Sequence, residues 1–310
     1  METNITLNKE LLERIKEAPD GYLEKISSAS TETIRTEIRE EGFLRKIIPE
    51  KTVTSEDIDR VVEHDRPVII EEIEAQSKGA MSVGFNTPTD TAMFYGPKGV
   101  IEFHQIKTPR YKKNIHELHT YRHDLKKSIV EKALNDIQVR EDGSLIKSVN
   151  RLVGPENGVG RSGFRQNFVI NGGITRSTYI EMKKKLGKLR LRNGVFLMNT
   201  TTAAEFEKFH HDEWGGPGAE DVWKKGLIGS INDAVLSGVR HIFTIKDELV
   251  PDNVVYCFTE PAFLGKFYIL QDATMYVKKE EDILSMNATE TIGLGILNVA
   301  GVIRTRFAGA

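Results

Sequence analysis

The sequence predicts an α+β fold in which a helical segment, a two-stranded segment, a long helix, a mixed α/β stretch and returning strands follow one another. Three observations lead there. A helical stripe of unusual length occupies 113–138. A two-stranded, turn-rich segment at 67–107 precedes it. Alternating helix and strand patterns follow at 151–262, and strands return from 263 onward.

The elements follow in chain order. Leu7, Leu11, Leu12 and Ile15 form a helical stripe that stops at Pro19, Asp20 and Gly21. Ser30 is placed to cap a second helix through Ile34 and Ile38, ending at Gly42. A third short helix is expected near Thr54, with Asp57 three residues on. Helices this short bury little alone and need another surface to lie on.

Val68, Ile69, Ile70 and Ile73 then read as a strand, and 100–106 as a second, with Ile101 and Phe103 on one face. Pro88, Gly96, Pro97 and Gly99 punctuate the tip between them. Such a hairpin is marginal alone in water and expects a partner surface, in its own domain or on a neighbour.

Ile115, Leu118, Arg122, Leu125, Ile129, Ala133 and Ile137 step by three or four, so they share one helix face. At ~1.5 Å per residue this is a rod of roughly 37 Å. Asp142 and Gly143 are expected to end it. A loop at 151–163 leads to a helix at 177–187, a strand at 195–198 and a helix from Thr202 through Phe206 and Phe209. A Gly-rich loop at 210–219, a helix at 222–236 and strands at 241–245 and 254–258 follow. The last strands are expected at 266–270, 274–277 and 291–299.

Composition narrows the function classes. The 310 residues are 39% hydrophobic and 28% charged, as ordinary globular proteins are. With 43 basic and 45 acidic residues the chain lacks the basic excess of a dedicated nucleic-acid binder. The single cysteine, Cys257, excludes an intrachain disulfide or a cysteine-based zinc site and reads as a buried small hydrophobe. Residues 1–16 lack the apolar core of a signal peptide, and no stretch approaches the ~20 apolar residues of a membrane span. A soluble protein is expected.

The candidate chemical constellations are weak. His116, His119 and His123 share a stripe that could face a metal, though a lateral polar helix face explains them more simply. His210, His211 and Asp212 are rich in ligand atoms but have no distant partner. Gly158, Gly160 and Gly163 match GxGxxG literally, yet the motif needs a strand before it and a helix after it. Here a loop precedes, and 164–170 looks extended. Gly293 and Gly295 suggest close backbone packing in a strand. Lys183, Lys184, Lys185, Lys188, Arg190 and Arg192 form the one local basic cluster. It suits a solvated helix face first and phosphate contact second. No catalytic, cofactor-binding or metal-binding residue is assigned.

The order of these elements resembles the Hong Kong 97-type major capsid protein of tailed bacteriophages. Two groups of residues carry the likeness. The first is 39–49, Arg66-Pro67, 72–77 and 106–109. The second is 250–253, 263–265, 280–282, 290–293 and Asn298.

The resemblance implies an N-terminal arm at 1–66 and an extended two-stranded loop at 67–107. It implies a peripheral domain with its spine helix at 108–150 and an axial domain at 151–262. Returning strands of the peripheral domain and the C-terminus would occupy 263–310. It further implies a structural protein and not an enzyme. Pentamers and hexamers of this chain would form an icosahedral head around double-stranded DNA, touched weakly and without sequence preference. Scaffold, portal and decoration proteins would be partners, with no membrane. Assembly would take place in the host bacterial cytoplasm and end in the virion. Encapsulin nanocompartments are similar in fold and are the first alternative. A soluble α/β enzyme using the 158–163 loop or the His210 region is the second.

Overall fold

The computed structural model describes residues 8, 10, 11, 13, 19–61, 64–72, 98–121, 123–188, 191–205, 233–236 and 239–309. The expected loop tip at 73–97, Leu12, Ile15, Arg122, the 210–219 loop and Arg190 lie outside them.

Among the described residues the strands form two sheets. The seven-stranded sheet contains β1 (Glu50–Thr52), β2 (Asp59–Val61), β3 (His64–Glu72), β4 (Lys98–Lys107), β5 (Tyr111–Asn114), β11 (Lys266–Glu280) and β12 (Ile283–Gly295). Its order is β1-β11-β12-β4-β3-β2, with β5 also pairing β12. The six-stranded sheet contains β6 (Asn167–Asn171), β7 (Asn193–Asn199), β8 (Asp233–Leu236), β9 (Val239–Thr244), β10 (Val254–Thr259) and β13 (Val302–Ala308). Its order is β6-β13-β10-β7-β9-β8. The α+β class is therefore the one built.

One helix, α3 (Leu125–Val153), packs against both sheets. Its buried stripe of Leu125, Ile129, Ala133, Ile137, Leu145, Val149 and Val153 joins a core with Phe267, Met275 and Ile292 from one sheet. Leu197, Ile242, Tyr256 and Phe258 reach the same core from the other sheet. Alternate side chains of a strand point to opposite faces. Phe196, Met198, Val255 and Cys257 thus fall on the far face, where Tyr179, Met182 and Leu186 of α4 (Arg176–Lys188) cover them. Every residue of β10 is buried for this reason.

The long helix departs from the expected span at both ends. Residues 111–114 are β5, and Ile115–His119 is a 3₁₀ turn. Helix α3 begins where Asp124 accepts a hydrogen bond from Lys127 N–H at 3.2 Å. It runs straight through Asp142 and Gly143 to Val153, 29 residues or about 43 Å. Asp142 faces the interior: its carboxylate accepts from Leu44 N–H at 2.9 Å and from Lys246 at 2.6 Å. Tertiary partners thus override the turn preference of that dipeptide.

Three other differences have local causes. The helix expected from Ser30 is α1 (Pro19–Glu41), because proline suits the first turn of a helix and starts this one. No helix forms at Thr54; the Asp57 carboxylate accepts from Thr54 N–H and Oγ1 and closes a turn. Residues 233–236, expected at the end of a helix, form β8 antiparallel to β9. The segments at 266–270 and 274–277 are one strand with irregular register between Ile269 and Thr274. β12 spans Ile283–Gly295 where 291–299 was expected, and β13 was not expected at all.

Candidate functional site

The sequence candidates scatter. His116 lies exposed on the 3₁₀ turn, 3.7 Å from Asp282, and His123 precedes the cap of α3. The three histidines therefore do not line one helix. Among the described residues no group of three or more His, Cys, Asp or Glu is placed to hold a metal. The glycines at 158–163 lie in a loop followed by β6, so the helix that a dinucleotide fold requires is missing. Lys183, Lys184, Lys185 and Lys188 of the basic cluster lie on α4, where Lys185 pairs with Glu181 at 2.8 Å and lies over the Phe168 ring, and Arg192 lies beyond its end. Cys257 is fully buried in β10, and burial pushes its thiol pKa up. Gly293 and Gly295 press on Phe103 and Ile101, the close packing expected of them. His241 is buried with Nδ1 2.9 Å from Val239 O and Nε2 3.1 Å from the Tyr179 hydroxyl, a core histidine with both nitrogens engaged.

A constellation that the sequence did not single out sits where the first segment meets the body. Helix α2 (Leu44–Ile47) carries Arg45 into the interior. Its guanidinium donates to Glu141 of α3 at 3.0 Å, Glu290 of β12 at 2.5 Å and Glu50 of β1 at 2.6 Å. Asp272 of β11 lies 3.9 Å away and also pairs with Arg35 of α1 at 3.3 Å. One arginine thereby ties four elements from distant parts of the chain. The side chains of Glu141 and Glu290 are 0% exposed, and the Oε2 atom of each has no hydrogen-bond partner among the described residues.

The electrostatics follow from that geometry. Two buried carboxyls share one guanidinium, so both cannot be fully compensated. Burial, and then the charge of Glu290, pushes the Glu141 pKa well above the carboxylate range. Burial raises Glu290 to about 7, against the pull of Arg45. Burial works against the Arg45 charge, but Glu141, Glu290 and Glu50 outweigh it and hold the pKa above its usual value. A signal was present in the sequence: four residues past Ile137 on the apolar stripe stands Glu141, a charge on the inward face.

A second contact joins the same parts. Along α1, Ser27 Oγ donates to Met275 O, and Thr31 Oγ1 accepts from Met275 N–H at 2.9 Å. Arg35 Nε donates to Ala273 O at 2.8 Å. These side chains satisfy the backbone edge of β11 beyond its short pairing with β1, so that edge is covered.

No protein-family model matches the sequence, and no curated protein matches it either. Solved structures do match. The capsid of the cyanophage P-SCSP1u superposes with a TM-score of 0.60 at 10% identity, over 87% of this chain and 89% of that one. The capsid of the empty GTA particle gives 0.58 at 13% identity, over 86% and 90%. The chain has the Hong Kong 97-type capsid fold. A virus-like particle from Pyrococcus furiosus has it too, with a TM-score of 0.55 at 15% identity, over 92% of this chain and 99% of that one. At these identities the capsid fold is shared as a backbone path and not as a set of side chains.

Proposed function

We propose that this chain is the major capsid protein of a tailed bacteriophage, a shell subunit that works by assembling with copies of itself. The observation that carries this is coverage. The capsid fold accounts for 87% of this chain and 89% of the cyanophage capsid chain. In this reading pentamers and hexamers close an icosahedral head around double-stranded DNA. Residues 1–66 are the N-terminal arm, whose Arg45 and α1 lie on the subunit's own body, and the extended loop at 67–107 lies over a neighbouring subunit. The spine helix organises the peripheral domain, and 151–262 forms the axial domain. Scaffold, portal and decoration proteins complete the head, assembly takes place in the host bacterial cytoplasm, and the finished site is the virion. A net charge of −2 supplies no global attraction to DNA phosphates, so contact with the packaged DNA is in this reading local, weak and without sequence preference.

Expression of the full chain, with sedimentation velocity and negative-stain imaging, tests the reading. Closed shells of megadalton size, alone or with a co-expressed scaffold, are expected. A monodisperse monomer under all conditions would overturn it. The match to the Pyrococcus furiosus particle favours a second reading, an encapsulin-like compartment shell. Particles that copurify with an enzyme cargo and protect no DNA would favour that one.

A further inference from the structure

The loop at 154–166 was singled out for its glycines and found no role in nucleotide binding. It has neither helix nor strand, yet it is tightly built. Arg161 N–H donates to Leu152 O at 2.9 Å, Gly160 N–H to Phe164 O at 2.9 Å, and Asn157 N–H to Asn167 O at 2.9 Å. From below, Gln166 Nε2 donates to Val299 O at 2.6 Å and Val302 O at 2.7 Å. Ser162 Oγ donates to Gln166 Oε1 at 2.6 Å.

The shape costs conformational energy. Gly154 has φ +72° and Asn157 φ +55°, in the left-handed region. A Cβ on Gly160 would lie 2.5 Å from Gln166 Oε1 and 2.8 Å from Leu152 O. What this rigid loop displays is apolar: Val159 is 63% exposed and Phe164 is 56% exposed. Arg161 and Arg165 are exposed beside them. Arg165 also donates to Asn157 and lies over the Phe168 ring, which holds it in place. An exposed aromatic beside arginines on a preorganised support is the composition of an interface anchor.

A complementary feature lies elsewhere on the same chain. A groove of about 1340 Å³ runs between the end of β4, the middle of α3 and the 245–249 loop. Pro109, Val139 and Leu249 contribute apolar surface to it, and Ile245 at its rim is 80% exposed. Asp247 and Glu248 stand exposed next to Ile245. Lys107, Arg140 and Asp136 also line the groove, and Lys246, between Ile245 and Asp247, is tied to the buried Asp142 at 2.6 Å, so the exposed charges beside Ile245 are acidic. The groove sits at Gly143 and the loop starts at Gly154, about 16 Å apart along α3 at ~1.5 Å per residue.

We propose that the 154–166 loop is a knob that seats on the Ile245 side of this groove in a second copy of the chain, with Arg161 facing Glu248. The rigid loop cannot fold back on its own groove, so the occupant is another subunit. The charges match: Val159 and Phe164 beside exposed arginines meet Ile245 beside the exposed Asp247 and Glu248. Because two different patches meet, the contact is head-to-tail, the kind that closes into rings when the rotation permits. This rests on the shell reading and deepens it by naming the faces in contact.

The test uses the full chain and follows assembled particles by sedimentation velocity, with subunit melting recorded in parallel. Phe164→Asp is expected to lower the assembled fraction by about ten-fold or more at unchanged subunit melting temperature. Arg161→Glu and Glu248→Arg are each expected to lower it, and the two combined to restore it. Both of those side chains are exposed, so this pair decides the matter if Phe164→Asp does not fold. Assembly of Phe164→Asp at the wild-type level, or a double variant no better than either single, would overturn the contact. If the wild type assembles and the variants do so equally, the contact alone falls. If the wild type never assembles, the shell reading falls and takes this proposal with it.

Discussion

The two sheets share one helix but are sealed by different physics. The six-stranded sheet is buried by apolar packing on both faces, with α3 below and α4 above. The seven-stranded sheet shows solvent an alternating face along β4 and meets the N-terminal segment through the Arg45 cluster. Its β11 edge is covered by side chains of α1. Apolar packing adapts to its surroundings only slowly, whereas charges in a dry interior respond to protonation and to the loss of one partner. One sheet is therefore expected to be robust to solution conditions, and the junction at the other to be conditional on them.

The largest expected effect comes from breaking the conditional side. Arg45→Met leaves Glu141 and Glu290 buried without a counter-charge and is expected to cost about 3–5 kcal/mol in urea unfolding. The loss should be greater at pH 8 than at pH 5, where the carboxyls can take up protons. Leu186→Ala, on the apolar side, is expected to cost about 2–5 kcal/mol with nearly the same value at both pH values. Equal pH dependence in the two variants would remove the distinction.

The next effect is a pH slope in the wild type. A carboxyl whose folded pKa lies above its unfolded value keeps its proton where the unfolded chain has lost it. Glu290, raised from 4.5 to about 7, therefore contributes stability below 4.5, and that share is lost as pH rises to about 7. Unfolding midpoints should fall across that window, and Glu290→Gln should flatten the fall. A midpoint that rises through the window in the wild type would show the pair to be ionised throughout.

The smallest effect is a gain. Ser30 lies inside α1, fully buried, with an Oγ that has no hydrogen-bond partner among the described residues. Ser30→Ala removes that unsatisfied group and improves helix propensity, and is expected to stabilise by about 1 kcal/mol in thermal melts. A loss of stability there would mean that the hydroxyl has a partner in solution.

What could be read from the sequence was what is local. The stripe from Leu125 to Ile137 and the strands at 195–198 and 254–258 are periodic, and they formed. Ile115 and Leu118 happen to continue the helical phase but belong to a 3₁₀ turn fixed by β5 pairing with β12. Asp142-Gly143 looked like a stop because its partners, Leu44 and Lys246, lie 98 and 104 residues away. The Arg45 cluster was hidden for the same reason, since its buried acids lie 96 and 245 residues from the arginine. Strand β13 was missed because Arg304 and Arg306 interrupt its apolar run, and pairing with β10 and β6 specifies it as a strand. Val159 and Phe164 were visible as residues, but only the folded loop shows them to be exposed.

The hydrogen bonds from α1 to the edge of β11 also set a clock. Ser27 and its partner Met275 are 248 residues apart. At a synthesis rate of roughly 5–20 residues per second, the helix leaves the ribosome about 12–50 s before the strand it covers. During that interval α1 can meet α3 but not the β11 edge. Helix α1 can lie on that edge only once Met275 has been made, so this contact joins an early and a late product of translation.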